Sequence, residues 1–199
     1  MKDFSNFWGS YTVPATAGLL NQLGLSQDYL GYQVTTPLNS GSAQVRGIDL
    51  NYRQNFAFLG GWESGLSVFA NGTALHLQGG PFADFTTFIS RTVNWGVTYA
   101  QPRFSFTVNW NLRGKERESG IITFDPSGAG YEYFNARLET DIGVQYNVNQ
   151  HVSIYLNGQN ITNQPWNLLF ESPNTPAYAT LDRREDFGAI WQLGICGKF

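Results

Sequence analysis

Hydrophobic and polar residues alternate along several stretches of the chain, and the clearest stretch runs from Arg103 to Arg113. A strand turns successive side chains to opposite faces. The stretch therefore predicts a strand whose two faces differ completely in polarity. The apolar face holds Phe104, Phe106, Val108, Trp110 and Leu112, and the polar face holds Arg103, Ser105, Thr107, Asn109, Asn111 and Arg113.

The same alternation recurs before and after this stretch. Two aromatic residues break it, because Phe69 and Tyr155 fall among the polar positions of their segments. Helical spacing is nearly absent, and only Ala15–Leu25 is compatible with a short helix. The pattern predicts an all-β fold with strands at about 47–53, 66–74, 92–99, 103–113, 137–146, 152–159 and 187–199.

Short and long connections alternate between these strands. The short ones lie near 59–64, 100–103 and 147–150, and the long polar ones lie near 13–40, 79–88, 115–130 and 160–178. This arrangement predicts an antiparallel meander of about eight strands, as in outer-membrane barrels with short turns on one side and long loops on the other. A soluble lipocalin-like barrel shares the meander, but it turns its apolar face inward and its charges outward.

The composition favours the membrane alternative. Charged residues are only 14% of the chain and aromatic residues 16%, whereas soluble domains carry roughly 25% charged residues. The polar faces consist of Asn, Thr, Ser, Gly and Gln with little Lys, unlike a water-exposed exterior. No run of about 20 apolar residues predicts a spanning helix, and a net charge of −3 argues against binding of nucleic acid.

The sequence contains no recognisable catalytic motif and little material for a metal site. Cys196 is the single cysteine, and His76 and His151 lie in different segments. We therefore predict neither an enzyme nor a cofactor or metal site. The charged run Asp182–Asp186 is a candidate ligand vestibule, in which Arg183, Arg184 and the aromatic Trp166 would contact the ligand. A solvated strand extension is the alternative, and Lys115–Glu118 allows the same two interpretations.

Several segments have a recognisable order and spacing. Asn39–Leu50 places a glycine before an apolar–acidic–apolar triplet, and Phe58–Leu66 follows it as a glycine-containing turn segment. Leu156–Asn163 runs from a strand into an Asn-rich loop, and the chain ends on the aromatic Phe199. Together these segments resemble the C-terminal part of the barrel of TonB-dependent outer-membrane receptors.

The resemblance implies active uptake of a scarce, bulky nutrient across the bacterial outer membrane, such as an iron–siderophore complex, cobalamin or a saccharide. Such receptors have a 22-stranded barrel with a plugged lumen. At about ten residues per strand plus loops, 199 residues hold about eight strands. We therefore expect residues 1–199 to be the C-terminal wall of such a barrel, without the plug.

The expected partners follow from the same resemblance. They are outer-membrane lipid, the remainder of the barrel and its plug, the TonB complex acting through the missing N-terminal part, and the barrel-assembly machinery. The resemblance implies that this machinery reads one face of the last strand, formed by Trp191, Leu193, Ile195, Gly197 and Phe199.

Two other functions remain open at this point. One is a complete eight-stranded outer-membrane barrel with a structural or adhesive role. The other is a soluble ligand-binding β-domain.

Overall fold

The structure is a computed structural model that describes residues 1–39, 41–80, 83–118, 122–125 and 128–197. These residues contain fifteen β-strands and one α-helix. The helix is α1 (Ala17–Leu23). The strands are β1 (Lys2–Phe4), β2 (Trp8–Pro14), β3 (Gln33–Asn39), β4 (Ala43–Asn55), β5 (Leu66–Gly79), β6 (Arg91–Gln101), β7 (Phe104–Arg113), β8 (Glu116–Arg117), β9 (Ile122–Asp125), β10 (Gly128–Phe134), β11 (Arg137–Asn147), β12 (Val152–Gln159), β13 (Trp166–Glu171), β14 (Leu181–Glu185) and β15 (Ile190–Gly197).

The largest sheet has eight strands in the order β1-β4-β5-β6-β7-β11-β12-β15. Strands that are neighbours in this sheet also follow one another along the chain if the strands within the long connections are left out. The strand pairs of known register from β5 to β15 are antiparallel. The predicted all-β antiparallel meander of eight strands is therefore confirmed. Every predicted strand is present, with ends that differ by a few residues, and residues 198 and 199 of the last predicted strand lie outside the described residues.

The chain divides into two units, Met1–Arg46 with His76–Phe85, and Gly47–Leu75 with Thr86–Phe199. The first unit contains the antiparallel hairpin of β2 and β3 and the helix α1. Thr16 caps the start of α1 by accepting a hydrogen bond from the Leu19 amide, and Gly24 ends it with a positive φ of 67°. The short helix predicted within Ala15–Leu25 is confirmed, and Leu20 on it is fully buried.

The second unit contains most of the large sheet and a smaller one. Two of the long connections, between β7 and β11 and between β12 and β15, carry strands that pair with one another in the order β14-β13-β10-β8, with β9 paired to β10. We call β8, β9, β10, β13 and β14 the loop sheet. Because neighbouring strands of the meander are antiparallel, both connections leave the large sheet at the same end.

The connections at the opposite end of the large sheet are shorter, and the longest of them, residues 56–65 between β4 and β5, has ten residues. Two residues join β6 to β7, and residues 148–151 join β11 to β12. The sequence predicted this alternation of short and long connections, but it did not predict that the long ones form a second sheet. Among the helices of the described residues, none has both the length and the apolar character required to cross a membrane.

Candidate functional site

The hydrophobic side chains of the large sheet lie on one face, which we call the apolar face. The register aligns them in rows across the strands: Val97 of β6 is opposite Val108 of β7, and Val108 is opposite Ile142 of β11. Trp95 and Trp110 stack in the adjoining row with ring centroids 6.0 Å apart. Cross-strand pairs of this kind stabilise a sheet without any covering layer.

The apolar face is exposed at the two outer strands of the second unit. Leu50 of β4 is 72% exposed, and Leu193 and Ile195 of β15 are 74% and 75% exposed. Among the described residues of this unit, the only buried hydrophobic side chain is Leu168, which lies in the loop sheet rather than under the apolar face. The apolar face therefore has no core of its own, unlike the inward face of a soluble barrel.

The opposite face, which we call the polar face, carries a line of hydrogen bonds across the strands. The hydroxyl of Thr73 donates to Asp49 Oδ1 at 2.6 Å, and Nδ2 of Asn94 donates to Asn71 at 3.1 Å. Further along, Nδ2 of Asn111 donates to Asp141 Oδ2 at 3.1 Å. These side chains satisfy one another, which a half-buried polar face requires.

Phe69 and Tyr155, which break the alternation in the sequence, both lie against glycines of neighbouring strands. Phe69 is directly opposite Gly96, and its Cε1 atom lies 2.6 Å from the point where a Cβ on that glycine would stand. Tyr155 is directly opposite Gly194, and its ring occupies the corresponding space there. An aromatic ring that covers a cross-strand glycine supplies the contacts that the glycine lacks.

A groove of about 400 Å³ lies on the polar face over β7, β11 and β12. We call it the polar groove. Gly143 lies at its centre, in one cross-strand row with Thr107 and Asn157. Asn109 lines one side, and its Oδ1 atom is buried without a hydrogen-bond partner. The other polar side chains that line the groove are Ser105, Asp141, Gln145 and Gln159.

Trp166, a predicted vestibule residue, lies in a packed junction between the large sheet and the loop sheet. The guanidinium of Arg137 stands 3.8 Å from the centre of its indole ring, and the indole N–H donates to Glu139 at 3.3 Å. Arg137 also donates to Glu139 at 2.8 Å and is only 9% exposed. Phe134 and Phe187 pack edge-on against the same ring. The structure therefore surrounds Trp166 with Arg137 and Glu139.

Arg183 and Arg184 lie on β14 and are more than half exposed. Arg183 pairs with Glu185 at 2.9 Å, and Arg184 pairs with Asp186 at 2.9 Å. The hydrogen bond to Asp186 and the charge of this carboxylate raise the pKa of Arg184. Each predicted vestibule arginine thus already has a carboxylate partner two residues further along the chain.

The charged segment Lys115–Glu118 joins the loop sheet. Lys115 donates to Glu171 of β13 at 2.5 Å and lies 4.1 Å from the ring centre of Tyr133. Arg117 lies 5.0 Å from the ring centre of Tyr131 and donates to Thr86. These contacts join residues as far as 56 positions apart, so no local pattern in the sequence indicated them.

The last strand presents the residues of the predicted assembly signal on one face. Trp191, Leu193, Ile195 and Gly197 alternate along β15 and are exposed, whereas Phe199 lies outside the described residues. In the described chain, β15 is paired along one side only, with β12, and it is the last strand of the sheet order.

The described residues contain no group of three or more His, Cys, Asp or Glu side chains that could hold a metal ion. Cys196 is exposed and lines a second groove of about 620 Å³ at the short-connection end, beside Ser153 and His151. Comparison of the chain with models of protein families, with curated proteins and with solved structures gives no match.

Proposed function

We propose that this chain is part of the wall of an outer-membrane transporter of the TonB-dependent type, which takes up a scarce, bulky nutrient. Its apolar face contacts lipid and its polar face borders the lumen. The observation that carries the proposal is the separation of the two faces. The outer strands of the apolar face expose large hydrophobic side chains, whereas the polar face carries half-buried hydrogen bonds between its side chains.

Lipid is the solvent that suits such an exposed apolar face. Moving one large aliphatic side chain from water to an apolar environment is worth about 1.5–3 kcal/mol. Leu50, Leu193 and Ile195 are each more than 70% exposed, and they are part of a face that continues across the sheet. A bilayer removes this apolar surface from water, and the paired strands satisfy their own backbone groups within it.

The open strand β15 favours a large wall over a complete eight-stranded barrel. A closed barrel gives every strand two neighbours, whereas β15 pairs with β12 alone in the described residues. The exposed apolar face likewise disfavours a soluble β-domain, which would cover it. The family-specific part of the proposal, including the plug, the TonB complex and the assembly machinery as partners, is supported by the resemblance of three segments.

Spin labels on neighbouring residues of β7 test the orientation of the two faces. The chain has a single cysteine, so Cys196→Ser provides a background for Val108→Cys and Asn109→Cys, with Phe106→Cys and Thr107→Cys as a second pair. In lipid vesicles, we expect oxygen to relax the labels at 106 and 108 and a water-soluble nickel complex to relax those at 107 and 109. The reverse assignment in both pairs would overturn the proposed orientation.

Uptake measurements test transport itself. A wall of about eight strands cannot enclose the lumen of a 22-stranded barrel, so cells that express only these 199 residues should take up no substrate. Replacement of this segment in a full-length parent by an unrelated eight-stranded wall should abolish uptake. Uptake by the isolated segment, or uptake unchanged in the chimaera, would contradict the transporter proposal.

A further inference from the structure

The polar groove is lined mainly by neutral groups that both donate and accept hydrogen bonds. Asn109, Gln145, Asn157 and Gln159 supply side-chain amides, and Ser105 and Thr107 supply hydroxyls. An amide or hydroxyl lining suits a ligand whose own groups also both donate and accept hydrogen bonds. A hydrogen bond between ligand and groove can then form with either of them as the donor. The hydroxyls of a polyol have this property.

The charged side chains that line the groove do not suit an anionic ligand. No lysine or arginine lines it, and its one carboxylate, Asp141, accepts hydrogen bonds from Nδ2 of Asn111 and from the Asn160 amide. In the loop sheet, Arg183 is paired with Glu185. An anionic chelate entering the groove would meet a carboxylate and no cation, which opposes its binding.

The centre of the groove is open because Gly143 has no side chain to fill it. Gly143 has a negative φ, a backbone conformation that any residue can adopt. A Cβ added there would lie 3.4 Å from its nearest atom, Asn157 Oδ1. A larger residue therefore fits the backbone but fills the groove. The volume of about 400 Å³ lies within the range of roughly 300–1,000 Å³ for small-molecule sites.

We propose that the polar groove binds a neutral polyhydroxylated ligand, of the oligosaccharide class, rather than an anionic metal chelate. This inference rests on the proposed function, because it takes the polar face to border a water-filled lumen. It narrows the transported substrate to neutral sugars and assigns their recognition to the side chains of β7, β11 and β12.

Titration of the folded chain with sugars tests the inference. The 199-residue chain in detergent micelles is titrated with maltohexaose, cellohexaose, xylohexaose and chitohexaose, and with ferric citrate as the anionic chelate. We expect at least one hexaose to bind and ferric citrate not to bind. Gly143→Val should weaken the sugar by at least about tenfold, which corresponds to about 1.4 kcal/mol.

Gly72→Val is the matched control. Gly72 lies on β5, opposite Val93 on the apolar face, and a Cβ there meets its nearest atom at 3.4 Å, so the same substitution is accommodated outside the groove. It should leave sugar affinity unchanged. Asn157→Ala and Gln145→Ala are a second test of the groove that leaves Gly143 unchanged. Each substitution should also lower the affinity for the sugar.

Three outcomes would overturn the inference: none of the four hexaoses binds, binding is equally insensitive to Gly143→Val and Asn157→Ala, or ferric citrate binds in a way that Gly143→Val abolishes. The spin-label accessibility of residues 106–109 is measured on the same samples. If the labels show the expected faces and no sugar binds, the substrate class is wrong while the membrane orientation stands. If the faces are reversed, the proposed function itself fails.

Discussion

Tyr155 of β12 lies across Gly194 of β15, the residue directly opposite it in the antiparallel register. All three atoms nearest to a Cβ placed on Gly194 belong to the side chain of Tyr155, and the third of them, Cε1, is 2.7 Å away. Position 194 therefore requires a glycine because the tyrosine ring occupies the space of a side chain, and not because of the backbone conformation. This pair packs within the ladder of eight residue pairs that joins β15 to β12, its one neighbour in the described residues.

The substitution Gly194→Ala should destabilise the folded chain by about 1–3 kcal/mol, since the new methyl group overlaps the tyrosine ring. Unfolding by denaturant in micelles measures this cost. In a Tyr155→Ser background the cost should fall by at least about 0.5 kcal/mol, which is the coupling expected of residues in contact. Gly72→Ala is the control and should be tolerated. Equal costs of Gly194→Ala in both backgrounds would show that the ring is not the reason for the glycine.

The junction of Arg137, Glu139 and Trp166 should contribute measurably to stability. Arg137→Ala removes a charged hydrogen bond and a cation–π contact from a buried position, so we expect a loss of about 2–4 kcal/mol in the free energy of unfolding. Arg137→Lys should recover part of it, because it keeps the charge but loses the planar stacking.

Arg184→Ala is the matched control for that junction, because Arg184 is exposed and pairs only with its neighbour Asp186 in the contacts described above. Its removal should leave the unfolding midpoint unchanged. A midpoint that shifts as much for Arg184→Ala as for Arg137→Ala would contradict the role assigned to the junction.

The open strands should make the isolated chain dependent on detergent. β15 has one described neighbour, and the segment Gly47–Asn55 of β4 pairs on one side with β5, because β1 reaches only Ala43–Val45. Exposed strand edges with an apolar face promote association between chains. On gel filtration we expect aggregates without detergent and a single species with it. A soluble monomer without detergent would show that this view of the sheet is wrong.

Removal of Phe199 should affect assembly and not binding. This prediction comes from the sequence, since Phe199 continues the face of Trp191, Leu193 and Ile195 and lies outside the described residues. In the full-length barrel that the proposed function implies, the deletion should lower the amount in the outer membrane, measured by immunoblot of membrane fractions, while the molecules that assemble keep their ligand affinity. Lys198→Ala, which keeps Phe199 in its position on this face, is the control. An unchanged amount in the membrane would remove the assembly role.

The sequence alone determined the strands of the large sheet, except the short β1, and the polarity of their faces. The reason is that a strand has a side-chain period of two, so stretches such as Phe104–Arg113 reveal both the strand and its two environments without reference to any other part of the chain. The predicted meander then indicated which strands are neighbours, because strands that follow one another along the chain usually pair in the sheet.

Only the tertiary structure decided the contacts between distant segments. The strands of the loop sheet are short and pair across long separations, as in the bond from Lys115 to Glu171, so no local period marks them. The same holds for Trp166, whose partner is Arg137 of another sheet rather than the arginines near it in β14. Phe69 and Tyr155 interrupt the alternating patterns of their segments. The register explains both residues, because it places a glycine opposite each ring. The packing of such a side chain depends on the neighbouring strand, which the sequence of its own strand does not reveal.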